Sequence, residues 1–160
     1  MNEIKIESTF VVFENLSELP KDAFKLMQKA IEAREKAYAP YSNFQVGTAL
    51  ILDNKETITG SNQENASYPS GLCAERTAIY YAGAQFPNSK ILKIAITASS
   101  NQQETKTPIP PCGACRQVIV EYEVKQNHPI EIYFMGRSGK ILKSDSLENL
   151  MPLMFVKSFL

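Results

Sequence analysis

Stretches with β character and stretches with helical character take turns along this chain, and their order leaves few folds open. Gln45–Leu52, Glu56–Gly60, Ile91–Ala98, Ile130–Met135 and Lys140–Lys143 read as strands. The first two are joined by Asp53-Asn54-Lys55, a connection of hairpin length, and should pair antiparallel. The last two flank the turn Gly136-Arg137-Ser138-Gly139. Helical spacing of apolar residues marks Leu72–Ala84 and a stretch from Gly113 to about Val124, which separate the remaining strands. Strands separated by helices tend to form parallel crossovers, with the helices laid on the sheet. An amphipathic helix also starts at Asp22, with Ala23, Leu26, Met27, Ala30, Ile31 and Ala33 on one face, between Pro20 and Pro40. The expected fold is therefore α/β: a three-layer α/β/α sandwich around a mixed five-stranded sheet. Ile4–Phe13 alternates and ends in Phe10-Val11-Val12-Phe13, which adds an N-terminal extra strand. Asp145 or Ser146 should cap a last short helix through Leu150.

A chain of 160 residues suits a single domain, and 44% hydrophobic residues are enough to build its core. Seventeen basic and seventeen acidic side chains cancel, so no electrostatic footprint favours a nucleic acid or an anionic membrane. The expected partner is a small molecule or another subunit. Met1-Asn2-Glu3 is not the basic start of an export signal, and the longest nearly apolar stretch, Leu150–Val156, is broken by Pro152. Three cysteines in such a chain argue for thiolate chemistry over a disulfide framework, and for a cytoplasmic location.

All three cysteines stand where a loop turns into a helix: Cys73 in GLCAERTAI, Cys112 and Cys115 in PPCGACRQV. A spacing of three puts the Cys112 and Cys115 sulfurs on one side of a helix start, and Cys73 can add a third ligand for zinc from the neighbouring helix. Glu75 follows Cys73 by two residues, which would be roughly 200° around a helix but can converge at its mouth. Three thiolates on a divalent ion sum to a charge of minus one, which opposes loss of a proton from water. Two helix N-termini return about half a charge each, and Arg76 and Arg116 are close enough in sequence to donate to the sulfurs. Other readings of the same residues stay open. Cys112 and Cys115 suit a redox pair, and His128 can close a structural zinc site of three cysteines and one histidine in a non-enzymatic domain. His128 lies in the turn signal Asn127-His128-Pro129, which argues against that ligation.

From Tyr38 to Phe155 the chain resembles the small homotetrameric zinc-dependent cytidine deaminases. The resemblance is carried by AYAPYSNFQVGTAL, GSNQENASYPSGLCAERTAI, PCGACRQVIVEY and LMPLMF. Zinc deaminases share a ligand-x-Glu motif followed by Pro-Cys-x-x-Cys. The resemblance implies one zinc per subunit on Cys73, Cys112 and Cys115, with Glu75 moving protons between water, ring N3 and the departing ammonia. It implies that Asn62 and Glu64 hold the ribose hydroxyls and that Phe44 packs beside the base, although an aromatic near Val46 and Leu50 also suits a core. Phe155 matches the aromatic that covers the base from a neighbouring subunit, so pockets shared within a homotetramer are expected. The apolar tail Met151–Val156 independently suggests an interface. The implied reaction is hydrolysis of cytidine and 2′-deoxycytidine to uridine and 2′-deoxyuridine in pyrimidine salvage. A related deaminase acting on a modified cytosine nucleoside such as blasticidin S is the alternative. Residues 1–20 lie outside the resemblance as an N-terminal extension to a single catalytic domain at 21–160, and Ser100–Thr107 looks inserted.

Overall fold

In the computed structural model, which covers residues 1–160, the elements follow the chain as β1 (Val11–Phe13), α1 (Lys21–Arg34), β2 (Phe44–Leu52), β3 (Thr57–Ser61), α2 (Ala74–Gln85), β4 (Ile91–Ser100), α3 (Gly113–Gln126), β5 (Glu131–Met135) and β6 (Ile141–Ser144). One six-stranded sheet has the order β1-β6-β5-β4-β2-β3. The hairpin expected around Asp53 forms, with Leu50 opposite Ile58, and β2 pairs antiparallel with β4 on its other side. Only β4 and β5 are parallel neighbours. Because β3 and β4 both run opposite to β2, they are parallel to each other across it.

Alternation along the strands separates two cores. Leu50, Leu52, Ile94, Ile96, Ile132 and Phe134 meet Ala78, Ile79 and Ala82 of α2 and Ile119 and Val120 of α3. Ala49, Ala95, Tyr133 and Met135 meet Ala23, Leu26, Met27 and Ala30 of α1. Helices therefore cover both faces, as the sandwich requires. Small residues set the approach distance. A Cβ on Gly60 of β3 would sit 2.5 Å from the Ala74 carbonyl oxygen, so glycine lets the first turn of α2 lie directly on the strand.

The N-terminal strand is shorter than its alternation suggests. Only Val11–Phe13 pairs, against Ile141–Lys143, while residues 1–9 are exposed and carry no regular structure. The physical reason is the partner: β6 is four residues long and offers no ladder for Ile4–Thr9. The sheet counts six strands with this edge strand included. Ser146 caps the last turn by accepting from the Glu148 N–H, but that turn is a 3₁₀ turn over Leu147–Asn149. No helix of the structure is long and apolar enough to cross a membrane.

Candidate zinc centre and adjoining pocket

Topology brings the cysteines together. Helix α2 follows the end of β3 and helix α3 follows the end of β4, and these parallel strands end on the same side of the sheet. Both helices consequently start at that side. Cys73 is the residue before α2 and Cys112 the residue before α3, each with extended backbone and no side-chain cap, and Cys115 lies in the first turn of α3. The three Sγ atoms all lie within 4.8 Å of one another. Cys73 Sγ is 3.8 Å from Cys112 Sγ, and Cys112 Sγ is 3.4 Å from Cys115 Sγ.

This donor set fits zinc. Sulfurs at ~2.3 Å from a tetrahedral ion stand about 3.8 Å apart, which is the Cys73–Cys112 separation and close to that of Cys112 and Cys115. Arg76 Nη2 lies 3.5 Å from Cys73 Sγ, and the buried Arg76 Nε has no partner. Hydrogen bonding from Cys115, opposed by burial and helped by Arg76, lowers the Cys73 thiol to about 5. The Cys115 thiol moves the other way, pushed up chiefly by its contact with Cys73 and by burial.

Glu75, in the first turn of α2, is only 4% exposed. Burial pushes its carboxyl up to about 7; the Cys73 charge adds to this, and hydrogen bonds from its own backbone and from Cys115 oppose it. The convergence at a helix mouth arises because Cys73 sits off the helical spiral in extended backbone while Glu75 is on it.

A pocket of about 440 Å³ opens beside the cluster, lined among others by Tyr41, Asn62, Glu64, Tyr68, Cys73 and Arg76. Asn62 is fixed by β2: its Oδ1 accepts from the Val46 N–H at 2.8 Å and its Nδ2 donates to the Phe44 carbonyl at 2.9 Å. Glu64 accepts from the Tyr41 and Ser42 N–H groups at 2.9 and 3.3 Å and from the Ser42 hydroxyl. Desolvation works against the charged form of Glu64, but these donors hold its carboxyl below the usual range. Little in the sequence marks Tyr41, Ser42 and Tyr68 as pocket residues. The only signal was the Ser42 turn, in which its hydroxyl accepts from the Phe44 N–H.

Other expected residues lie elsewhere. Phe44 is half-buried at the start of β2, opposite Ser100, and is not among the residues lining this pocket. Phe155 is 57% exposed on the C-terminal tail and does not line the pocket of its own chain. Arg116 is expected to donate to sulfur; instead its Nε donates to the Pro111 carbonyl at 2.9 Å and its Nη1 to the Leu150 carbonyl at 2.7 Å. His128 is exposed beyond the far end of α3, whose fourteen residues separate it from Cys112 by ~20 Å. That distance removes the closed site of three cysteines and His128.

Residues 20–128 match the family described as "Cytidine and deoxycytidylate deaminase zinc-binding region". The chain belongs to the cytidine deaminase family. It is 49% identical over 100 residues to the cytidine deaminase of Halalkalibacterium halodurans, covering 62% of this chain and 71% of that one. It is 38% identical over 136 residues to the cytidine deaminase of Sporosarcina psychrophila, covering 85% and 93%. Among solved structures it is similar to a cytidine deaminase from Burkholderia pseudomallei, with 38% identity, a TM-score of 0.71 and coverage of 86% and 100%. Membership makes this chain a zinc-binding hydrolytic deaminase, and Cys73, Cys112 and Cys115 are its potential metal site.

Proposed function

We propose that this deaminase hydrolyses cytidine and 2′-deoxycytidine at C4 to uridine and 2′-deoxyuridine, with release of ammonia, as a step of pyrimidine salvage. The observation that carries the proposal is the gathering of three sulfurs, one of which, Cys73, lines a pocket with Asn62 and Glu64, while the buried Glu75 follows Cys73 by two residues in the first turn of α2. Cys73, Cys112 and Cys115 would hold one zinc, and three protein ligands are the number a catalytic zinc site needs. Zinc, when bound, supplies the Lewis acidity that makes water a nucleophile near neutral pH. Glu75 takes a proton from the attacking water and places it on ring N3, then takes the second from the hydroxyl now on C4 and delivers it to the departing amine. Arg76 and the two helix N-termini offset the thiolate charge.

Asn62 and Glu64 receive the ribose. Their contacts with β2 and with Tyr41 and Ser42 fix both side chains, yet leave Asn62 one N–H and one lone pair, and Glu64 about one of its four lone-pair sites. Adjacent hydroxyls, which donate and accept, suit that remainder. Phe44, outside the pocket lining but joined to it through the Asn62 hydrogen bond to its carbonyl, turns its ring beside the base when substrate binds, and Phe155 covers the base from a second copy within a homotetramer. The exposed Leu153, Phe155, Phe159 and Leu160 support an interface there. Residues 21–160 form the catalytic domain and residues 1–20 an accessory extension.

Purified protein incubated with cytidine, with 2′-deoxycytidine and with blasticidin S is the test, run with and without a zinc chelator. Ammonia release from the first two, abolished by the chelator and restored by zinc, is the expected result. Turnover of blasticidin S alone would replace the substrate assignment, and no turnover of any would remove it.

A further inference from the structure

Two adjacent residues of α3, Arg116 and Gln117, hold the C-terminal tail to the helix turn that carries Cys115. The Arg116 backbone N–H donates to the Cys112 carbonyl at 2.9 Å, and its side-chain Nε donates to the preceding carbonyl, of Pro111, also at 2.9 Å. One residue thereby fixes the orientation of the ligand loop at two successive peptides. From the same guanidinium, Nη1 donates to the Leu150 carbonyl at 2.7 Å. Gln117 Nε2 donates to the Phe155 carbonyl at 2.9 Å. Leu150 and Phe155 are the two ends of a strap, Leu150–Phe155, and α3 grips both. Between them Leu153 stands at φ 59°, a left-handed conformation that a side-chain-bearing residue holds only when its surroundings impose it. Met151 and Met154 press the strap onto the core.

We propose that Arg116 is a positioning residue that couples the metal-ligand loop to this strap, so that ordering of Cys112 by zinc also orders the segment presenting Phe155. The planar guanidinium suits the task because its fork reaches two carbonyls in fixed relative directions, which a lysine ammonium cannot do. Coupling of this kind is reciprocal: whatever steadies one end steadies the other. The inference rests on the zinc-deaminase reading of the same site and extends it to a residue that touches neither sulfur nor pocket.

Hydrogen–deuterium exchange of the purified chain, zinc-loaded and zinc-stripped, tests it with zinc alone as the probe. In the wild type, zinc slows exchange across Met151–Phe155 by about fivefold or more. Arg116→Met abolishes that slowing and speeds chelator-driven zinc release about tenfold. Arg116→Lys, which keeps the stem and charge, provides the same readout should the methionine variant fail to fold. Gln117→Ala, which frees the Phe155 end of the strap, speeds zinc release in the same direction but by less than Arg116→Met, as reciprocal coupling requires. Equal slowing by zinc in the wild type and both Arg116 variants would overturn the proposal, as would no slowing in the wild type. Neither exchange nor zinc release requires turnover, so an inactive wild type would count against the substrate assignment and not against the coupling.

Discussion

In the proposed mechanism Glu75 is the residue on which the chemistry turns. A buried carboxyl with Cys73 and Cys115 as neighbours can exchange a proton with a reacting group without competition from solvent. Glu75→Gln keeps the size of the side chain and removes the proton transfer. It should retain one zinc per chain while kcat falls by about 10²–10⁴. Zinc analysis beside steady-state kinetics checks this, and a near-normal kcat would contradict the assigned role. The cysteines and Glu75 were legible from sequence because their spacing relative to two helix starts is local information. Arg116 was misread because its partners, Pro111 and Leu150, are carbonyls, one of them thirty-four residues away. Arg34 was invisible for a similar reason. It ends the amphipathic helix, yet it is buried and donates to the Thr97 hydroxyl at 2.9 Å, and Thr97 donates on to the Gly136 carbonyl.

Among the elements, α2 must lie close to β3 if Cys73 and Glu75 are to meet α3. Gly60→Ala places a Cβ against the Ala74 carbonyl and the Ala78 N–H, at 2.5 and 2.8 Å, both backbone atoms within α2. The helix start has to shift, at an expected cost of about 1–3 kcal/mol. Urea unfolding measures that cost, and faster zinc release should accompany it; unchanged stability and zinc retention would show that the contact is not limiting. Helix α1 is tied to the sheet differently, through Lys93 Nζ, 2.9 Å from Asp22 Oδ2 and 3.2 Å from Glu131 Oε2. The Lys93 hydrogen bond holds the Asp22 carboxyl below its usual 3.8, against a smaller effect of burial. A depressed carboxylate stabilises the fold fully above its unfolded pKa and loses that contribution as pH falls through the folded value. Asp22→Asn should therefore cost about 0.5 kcal/mol near pH 7, a figure discounted for the exposure of Asp22, and nothing once the pH has fallen below the depressed folded value. An equal cost at both pH values in urea unfolding would contradict the ion pair. Element order was readable because helical and alternating periods differ. The short β1 was not, since its length is set by β6, and a partner strand leaves no mark on the alternation of Ile4–Phe13.

For the whole molecule, the division of work between one chain and its copies is decisive. Phe155 and Phe159 stack at a centroid distance of 6.0 Å on an exposed tail, outside the pocket of their own chain. Buried apolar surface between copies would account for that exposure. Sedimentation equilibrium should give four times the 17.9 kDa chain mass; a monomer that still deaminates cytidine would remove the shared pocket. A tetramer is expected only through family resemblance, because no periodicity in a single chain reports a symmetry axis. All of this depends on a zinc ion that three sulfurs hold and that protein does not finish surrounding. X-ray absorption at the zinc edge of the loaded protein measures that shell directly. Three sulfurs at about 2.3 Å and one oxygen at about 2.0 Å, unchanged in His128→Ala, are expected. Four donors all supplied by protein side chains would leave water nowhere to react and contradict the deaminase mechanism.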